Sequence, residues 1–312
     1  PYEHGVYGMN RRKKWYIAGI GGVLGLVLIS GVLLAAAWYS LSGPEGQYFD
    51  SAGVRIHYID EGQGVPVVLV HGFAVPAHLQ WRKPGLIAAL AKDYRVIAPD
   101  NRGHGRSDKP HDPGQYGVQM AEDVVRLMDH LHLDKAHVVG YSMGGFITLK
   151  LVTLHPERLL SAAVCGAGWL QPTEENRALS EAVARALEAG TGFGPLLSRL
   201  GLPDRPMTFR KRAMLYFFMT FFHDPLALAA VSRGGEELNV TEAELRANTV
   251  PVLTIIGSED GLLPEAEALT GVMANHQLVV LEGKNHNTTS GSKPFLGDLQ
   301  TFLATHTTGE SQ

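Results

Sequence analysis

The chain has 312 residues, 45% of them apolar and 19% charged, enough to bury a sizeable core in one large domain or two ordinary ones. Its formal net charge of −4 gives no broad electrostatic basis for binding nucleic acid. Cys165 is the only cysteine, which excludes an intramolecular disulfide and a metal site built from cysteines.

The first forty residues differ from the rest. A basic cluster, Arg11-Arg12-Lys13-Lys14, closes the tail formed by residues 1–14 and precedes 25 residues without a charge, Trp15 to Tyr39. As a helix this span would be about 37 Å long, enough to cross a hydrocarbon layer of about 30 Å with some tilt. Trp15-Tyr16 and Trp38-Tyr39 stand at its two ends, where amphipathic rings favour the interface. The sequence therefore predicts a membrane-spanning anchor over 15–39. With positive charge on its N-terminal side, the tail is expected to stay cytoplasmic and the bulk of the chain to lie outside, periplasmic or extracellular. A cleaved signal peptide is the alternative, since Ala35 and Ala37 offer a small-residue site, but the apolar stretch exceeds the usual ~7–15 residues. Cleavage would make the protein secreted. If Met9 is the natural start, residues 1–8 are not native.

Past Ser40 the pattern changes to short apolar runs punctuated by Gly, Pro, Asn and Asp. Gln47–Phe49 and the alternating "VRIHYID" read as paired, half-exposed strands. "PVVLVHG", "YRVIAPD" and "AHVVGYS" are continuous apolar runs suited to strands buried on both faces. Helical stretches fall between them, near 84–90 and 120–131. "LLSAAVCGAG", "VPVLTIIGSED" and "HQLVVLEG" add three strands, with helices at "PEAEALTGVMA" and "KPFLGDLQTFLATH". The alternation predicts an α/β fold with a mostly parallel eight-stranded sheet flanked by helices, built from residues 40–170 and 249–312. Residues 171–248 break the alternation. "TEENRALSEAVARALEAG" is an amphipathic helix with Thr173 as its cap, and "MTFRKRAMLYFFMTFFHDP" is dense in Phe and Met. This segment reads as a helical cap, or lid, inserted over the carboxyl edge of the sheet.

Open parallel sheets place their chemistry at the carboxyl ends of the strands. Ser142 lies there in Gly140-Tyr141-Ser142-Met143-Gly144, between a buried strand and the helix "GGFITLKLVTLH". Glycines two positions to either side permit a sharp turn that lifts the hydroxyl out of the sheet as a nucleophile. Read blandly, Ser142 is only a helix cap. A hydroxyl needs a base, and His286, in the loop after the last strand, is the leading one of 14 histidines. Asp260, after the strand "VPVLTIIG", is the expected orienting carboxylate, with its neighbour Glu259 as the fallback; Pro264 is the expected helix start. The backbone N–H groups of Met143 and Phe73 are the expected oxyanion donors, and His71 is expected to support the turn rather than react. Trp81, Trp169, Phe217, Phe218 and Phe221 are candidate pocket walls, joined by Phe222 and by Met207, Met214 and Met219 in an apolar cover; the alternative is that the Phe and Met side chains are the lid's own core.

Taken together, "HGF" at 71–73, "DNRGHGRSDKP" at 100–110, "GYSMGG" at 140–145, "GSEDGLLP" at 257–264 and the terminal His286 resemble the α/β-hydrolase superfamily, in its serine esterase and lipase-like branch. The resemblance spans roughly 47–306. It implies that "DNRGHGRS" is a bracing turn, with Arg102 and Asp108 as scaffold. Many relatives carry glycine before the histidine, where this chain has Asn285. Haloalkane dehalogenases and epoxide hydrolases of the fold carry aspartate at the position of Ser142, so serine favours acyl transfer to water. The expected activity is hydrolysis of small carboxylic esters with short to medium apolar acyl groups, with no metal or organic cofactor. Lactonase, perhydrolase and carbon–carbon bond hydrolase chemistry on the same triad are the alternatives. Readings from other classes are a non-catalytic receptor for a small ligand and a membrane-tethered interaction protein.

Overall fold

The computed structural model describes residues 46–202 and 224–307. The tail and span 1–39 lie outside the described residues, as do Met207, Met214, Met219, Phe217, Phe218, Phe221 and Phe222. Among the described residues no helix is long and apolar enough to cross a membrane.

The sheet has eight strands: β1 (Gln47–Ser51), β2 (Val54–Glu61), β3 (Pro66–Val70), β4 (Arg95–Pro99), β5 (Ala136–Tyr141), β6 (Leu159–Cys165), β7 (Val252–Gly257) and β8 (His276–Leu281). Their spatial order is β1-β2-β4-β3-β5-β6-β7-β8. β1 and β2 form a hairpin in which Ser51 pairs with Val54. Its two turn residues, Ala52 and Gly53, both take positive φ, 53° and 84°, the hand that matches strand twist. β2 runs antiparallel to β4, and from β4 onward every pairing is parallel. The unbroken apolar runs of β5 and β7 are buried at every position, because both sheet faces are covered.

Side chains alternate between two cores. Val68, Val70 and Val138 pack with α2 (Val118–His130) and α3 (Met143–Leu154), while Val67, Leu69, Val139 and Tyr141 pack with α1 (Leu86–Leu90) and α9 (Lys293–Thr307). Full burial of each such aliphatic side chain contributes about 1.5–3 kcal/mol.

Between β6 and β7 the described residues form helices and no strand. These are α4 (Glu174–Glu188), α5 (Gly194–Arg199), α6 (Pro225–Gly234) and α7 (Glu242–Arg246). Thr173 caps α4, its hydroxyl accepting from Asn176 N–H. Val183, Ala184 and Leu187 of α4 pack on Leu228 and Ala229 of α6. Arg233 of α6 bridges Glu181 and Glu188 of α4. The remaining helix, α8 (Leu263–Thr270), follows β7 and carries Pro264 in its first turn.

Candidate active site

Ser142 sits at the junction of β5 and α3 with φ 56° and ψ −118°, a conformation L residues hold only when the surroundings enforce it. Its N–H donates to Cys165 O on the neighbouring strand (2.8 Å). The glycines around it are compelled by space. A Cβ on Gly140 would lie 1.9 Å from Gly144 O, and one on Gly144 would lie 2.1 Å from Val70 O. The turn closes only if both positions lack a side chain.

The Ser142 hydroxyl lies 2.9 Å from His286 Nε2, and His286 Nδ1 lies 2.8 Å from Asp260 Oδ2. The Asp260 side chain is fully buried and that of His286 is 7% exposed. A carboxylate facing Nδ1 holds the proton there, which leaves Nε2 as the acceptor for the serine proton. Asp260 Oδ1 also accepts from Leu262 N–H (3.0 Å), so the carboxylate is held at both oxygens. Glu259, the fallback, is exposed and is not the partner of His286.

The base is positioned by residues the sequence did not single out for that work. Tyr141, packed in the core beside Trp81 and Phe295, donates its buried hydroxyl to the backbone carbonyl of His286. Burial pushes its phenol above the ordinary value, so it stays a donor. Asn285 builds the loop instead of a glycine. Its Oδ1 accepts from the N–H groups of Asn287 (3.1 Å) and Thr288 (3.2 Å). Asn285 does not take a positive φ, so no glycine is required. The only advance signal for Tyr141 was its place directly before Ser142.

Phe73 and Met143 both line the space at Ser142. Ala74, next to Phe73, is strained at φ 56°. His71 supports this loop as expected. Its Nε2 accepts from Asn101 N–H (2.8 Å) and its Nδ1 donates to Gly72 O (2.8 Å). Burial keeps its imidazole neutral by lowering its pKa. Asp100 braces the same region, accepting from Ala77 N–H (2.8 Å), Arg106 N–H (3.0 Å) and His57 Nδ1 (2.9 Å). Burial alone would raise its carboxyl, but the hydrogen bonds from His57 and the Arg106 N–H hold it at about 2. Arg102 forks onto Asp123 of α2 at 2.7 and 2.6 Å, and Asp108 accepts from Arg55 N–H (2.9 Å). Both are scaffold.

Two pocket assignments need correction. Trp81 is fully buried in the core that holds Tyr141 and Phe295, its ring edge-on to Tyr141 at 6.4 Å. The single wide, π-helical turn His78–Arg82 buries it in that core rather than on the cavity wall. Trp169 is half-buried and packs on the α3 core, donating Nε1–H to Val240 O (2.9 Å); its neighbours Gly168 and Leu170 reach the cavity instead. Phe217, Phe218 and Phe221 lie outside the described residues. Among the described residues no cluster of three or more His, Cys, Asp or Glu side chains is arranged to hold a metal ion.

Residues 65–289 match the family model described as alpha/beta hydrolase fold. The chain is 31% identical over 245 residues to a 2-hydroxymuconate semialdehyde hydrolase of Pseudomonas sp. (strain CF600), covering 73% of this chain and 82% of that one. In structure it is similar to a thermophilic esterase from Thermogutta terrifontis, with a TM-score of 0.69 and 25% identity over 84% of this chain and 100% of that one. The enol-lactonase from Burkholderia xenovorans LB400 shares the fold, with a TM-score of 0.66 and 24% identity over 83% and 100%. With an elbow serine, a buried Asp–His relay and a family match spanning most of its length, this chain belongs to the alpha/beta hydrolase fold family.

Proposed function

We propose that the protein is a serine hydrolase that cleaves carboxylic esters of short to medium apolar acyl groups through an acyl-enzyme. The observation that carries this reading is the unbroken relay from Ser142 through His286 to Asp260, at 2.9 and 2.8 Å, opening onto a cavity with apolar walls. Ser142 Oγ attacks the ester carbonyl while His286 Nε2 takes its proton and Asp260 steadies the imidazolium. The N–H groups of Met143 and Phe73 stabilise the oxyanion. His286 returns the proton to the departing alcohol, and water then repeats the sequence on the acyl-enzyme. None of these steps calls on a cofactor.

Nitrophenyl esters from acetate to laurate test the reading. Turnover is expected to peak at short to medium chains, and Ser142→Ala to lower kcat by about 10⁴-fold or more. Turnover left intact in that variant would refute it. Failure of a fluorophosphonate to label Ser142 would favour a non-catalytic receptor instead.

A second reading, carbon–carbon bond hydrolysis, draws support from the 31% identity to the 2-hydroxymuconate semialdehyde hydrolase. Direct assay of that semialdehyde separates the two. A kcat/KM above that of the best ester would favour the second.

The charge-free span 15–39 supports a membrane-anchored enzyme with its catalytic part on the non-cytoplasmic side.

A further inference from the structure

Two cavities meet at Ser142, and Phe73, Leu196 and Leu200 are walls of both. The first, of about 180 Å³, runs past Met143, Phe146, Leu149, Leu179 and Val183. Three of the polar side chains on its wall are turned to partners of their own. Arg199 donates to Gly261 O (2.7 Å) and pairs with Glu265, Asn176 Nδ2–H donates to Gln171 O (2.8 Å), and Ser232 donates to Ser180 O (2.8 Å). The second cavity, of about 470 Å³, carries His286 on its wall, with Gln80, Tyr141 and Ser290.

The position of His286 decides which part of an ester enters which cavity. When the bond between the carbonyl carbon and the alcohol oxygen breaks, that oxygen takes the proton His286 received from Ser142. The alcohol portion must therefore leave on the side of Nε2, into the second cavity, and the acyl group must lie in the first.

The second cavity holds a polar pair. Gln80 Nε2–H donates to Ser290 Oγ (2.9 Å). This leaves the Gln80 carbonyl oxygen and the Ser290 O–H without a protein partner among the described residues, one acceptor beside one donor. The pair is close to the reaction. A Cβ built on Gly72 would be 3.5 Å from Gln80 Oε1 and 3.4 Å from the Ser142 Cβ, so both flank one point.

Resting on the esterase reading, we propose that Gln80 and Ser290 form a hydrogen-bonding subsite for the alcohol portion. The enzyme then selects esters that join an apolar acyl group to an alcohol carrying a further hydroxyl, over simple alkyl esters. A free hydroxyl both accepts from Ser290 and donates to Gln80, which an alkyl chain cannot do.

The test compares glyceryl 1-butyrate with n-propyl butyrate, which share an acyl group and a three-carbon alcohol. The unaltered enzyme is expected to favour the glyceryl ester by about tenfold in kcat/KM. Gln80→Leu and, separately, Ser290→Ala are expected to bring that ratio close to one. Leu179→Trp, in the first cavity, is expected to depress hexanoates relative to acetates while leaving the glyceryl-to-propyl ratio in place. Equal turnover of the two butyrates, or a ratio unmoved in both Gln80 and Ser290 variants, overturns the subsite while the esterase reading stands. A Leu179→Trp enzyme whose alcohol preference changes and whose acyl preference does not overturns the assignment of the cavities. Absence of turnover on every ester overturns both readings together.

Discussion

Ser142 keeps its left-handed backbone because three contacts leave it no alternative: its own N–H on Cys165 and the close approaches at Gly140 and Gly144. Gly144→Ala is expected to lower stability by about 1–3 kcal/mol or more, since the clash is with backbone rather than a yielding side chain. Denaturant unfolding checks this. Tyr141→Phe removes one donor from the carbonyl of His286. A hydrogen bond of that kind contributes about 1 kcal/mol. The expected result is a severalfold loss in kcat with KM little changed; a ring that merely fills space would leave kcat alone. Ser142, Asp260 and His286 were legible because each follows the carboxyl end of a parallel strand, and those ends converge. Tyr141 was not, since a residue's reach across the sheet cannot be seen in a one-dimensional pattern. Trp81 misled for a related reason: a place near the end of a strand or helix says nothing of which face its ring will take.

At the scale of elements, the buried fork between Arg102 and Asp123 ties the loop after β4 to α2. Arg102→Ala would leave the buried Asp123 carboxylate with only the more distant Arg126, at 3.6 Å, and is expected to destabilise the fold by about 3 kcal/mol. Urea titration measures this, and enzyme assayed well below its midpoint should retain its hydrolase activity if the pair is scaffold. The central strands could be read in advance because parallel strands buried on both faces, such as β5 and β7, are written as near-continuous apolar runs, and the β1–β2 hairpin because β2 alternates. The order of the strands could not, because β4 lies between β2 and β3 through a crossover that no local pattern encodes. The helices between β6 and β7 were visible as an interruption of the alternation. The packing of α4 on α6 rests on Val183, Ala184 and Leu187 against Leu228 and Ala229, with Arg233 reaching Glu181 and Glu188 across 52 and 45 residues of chain.

For the whole molecule, several histidines are kept neutral by burial. His137 and His276 are each lowered to about 4, and His71 is lowered as well. The unfolded chain binds protons at these sites near pH 6.5 while the native one does not. Their contribution to stability is therefore complete above pH 6.5 and is lost as pH falls toward about 4. Thermal unfolding should show Tm falling across that window, and His137→Gln should flatten the fall. The span 15–39 makes a separate prediction. As the proposed anchor, it is expected to hold the 312-residue chain on membranes through alkaline carbonate extraction, while a chain beginning at residue 46 is expected in the supernatant with its hydrolase activity kept. The two cavities were beyond reach of sequence reading, since they are spaces between elements and have no residues of their own. The hydroxyl of Tyr141 gives the site one further property. Nucleophile and base share a mount, because the strand that ends in one clasps the loop that bears the other. Their spacing is thus gauged against the sheet and does not depend on the helices between β6 and β7.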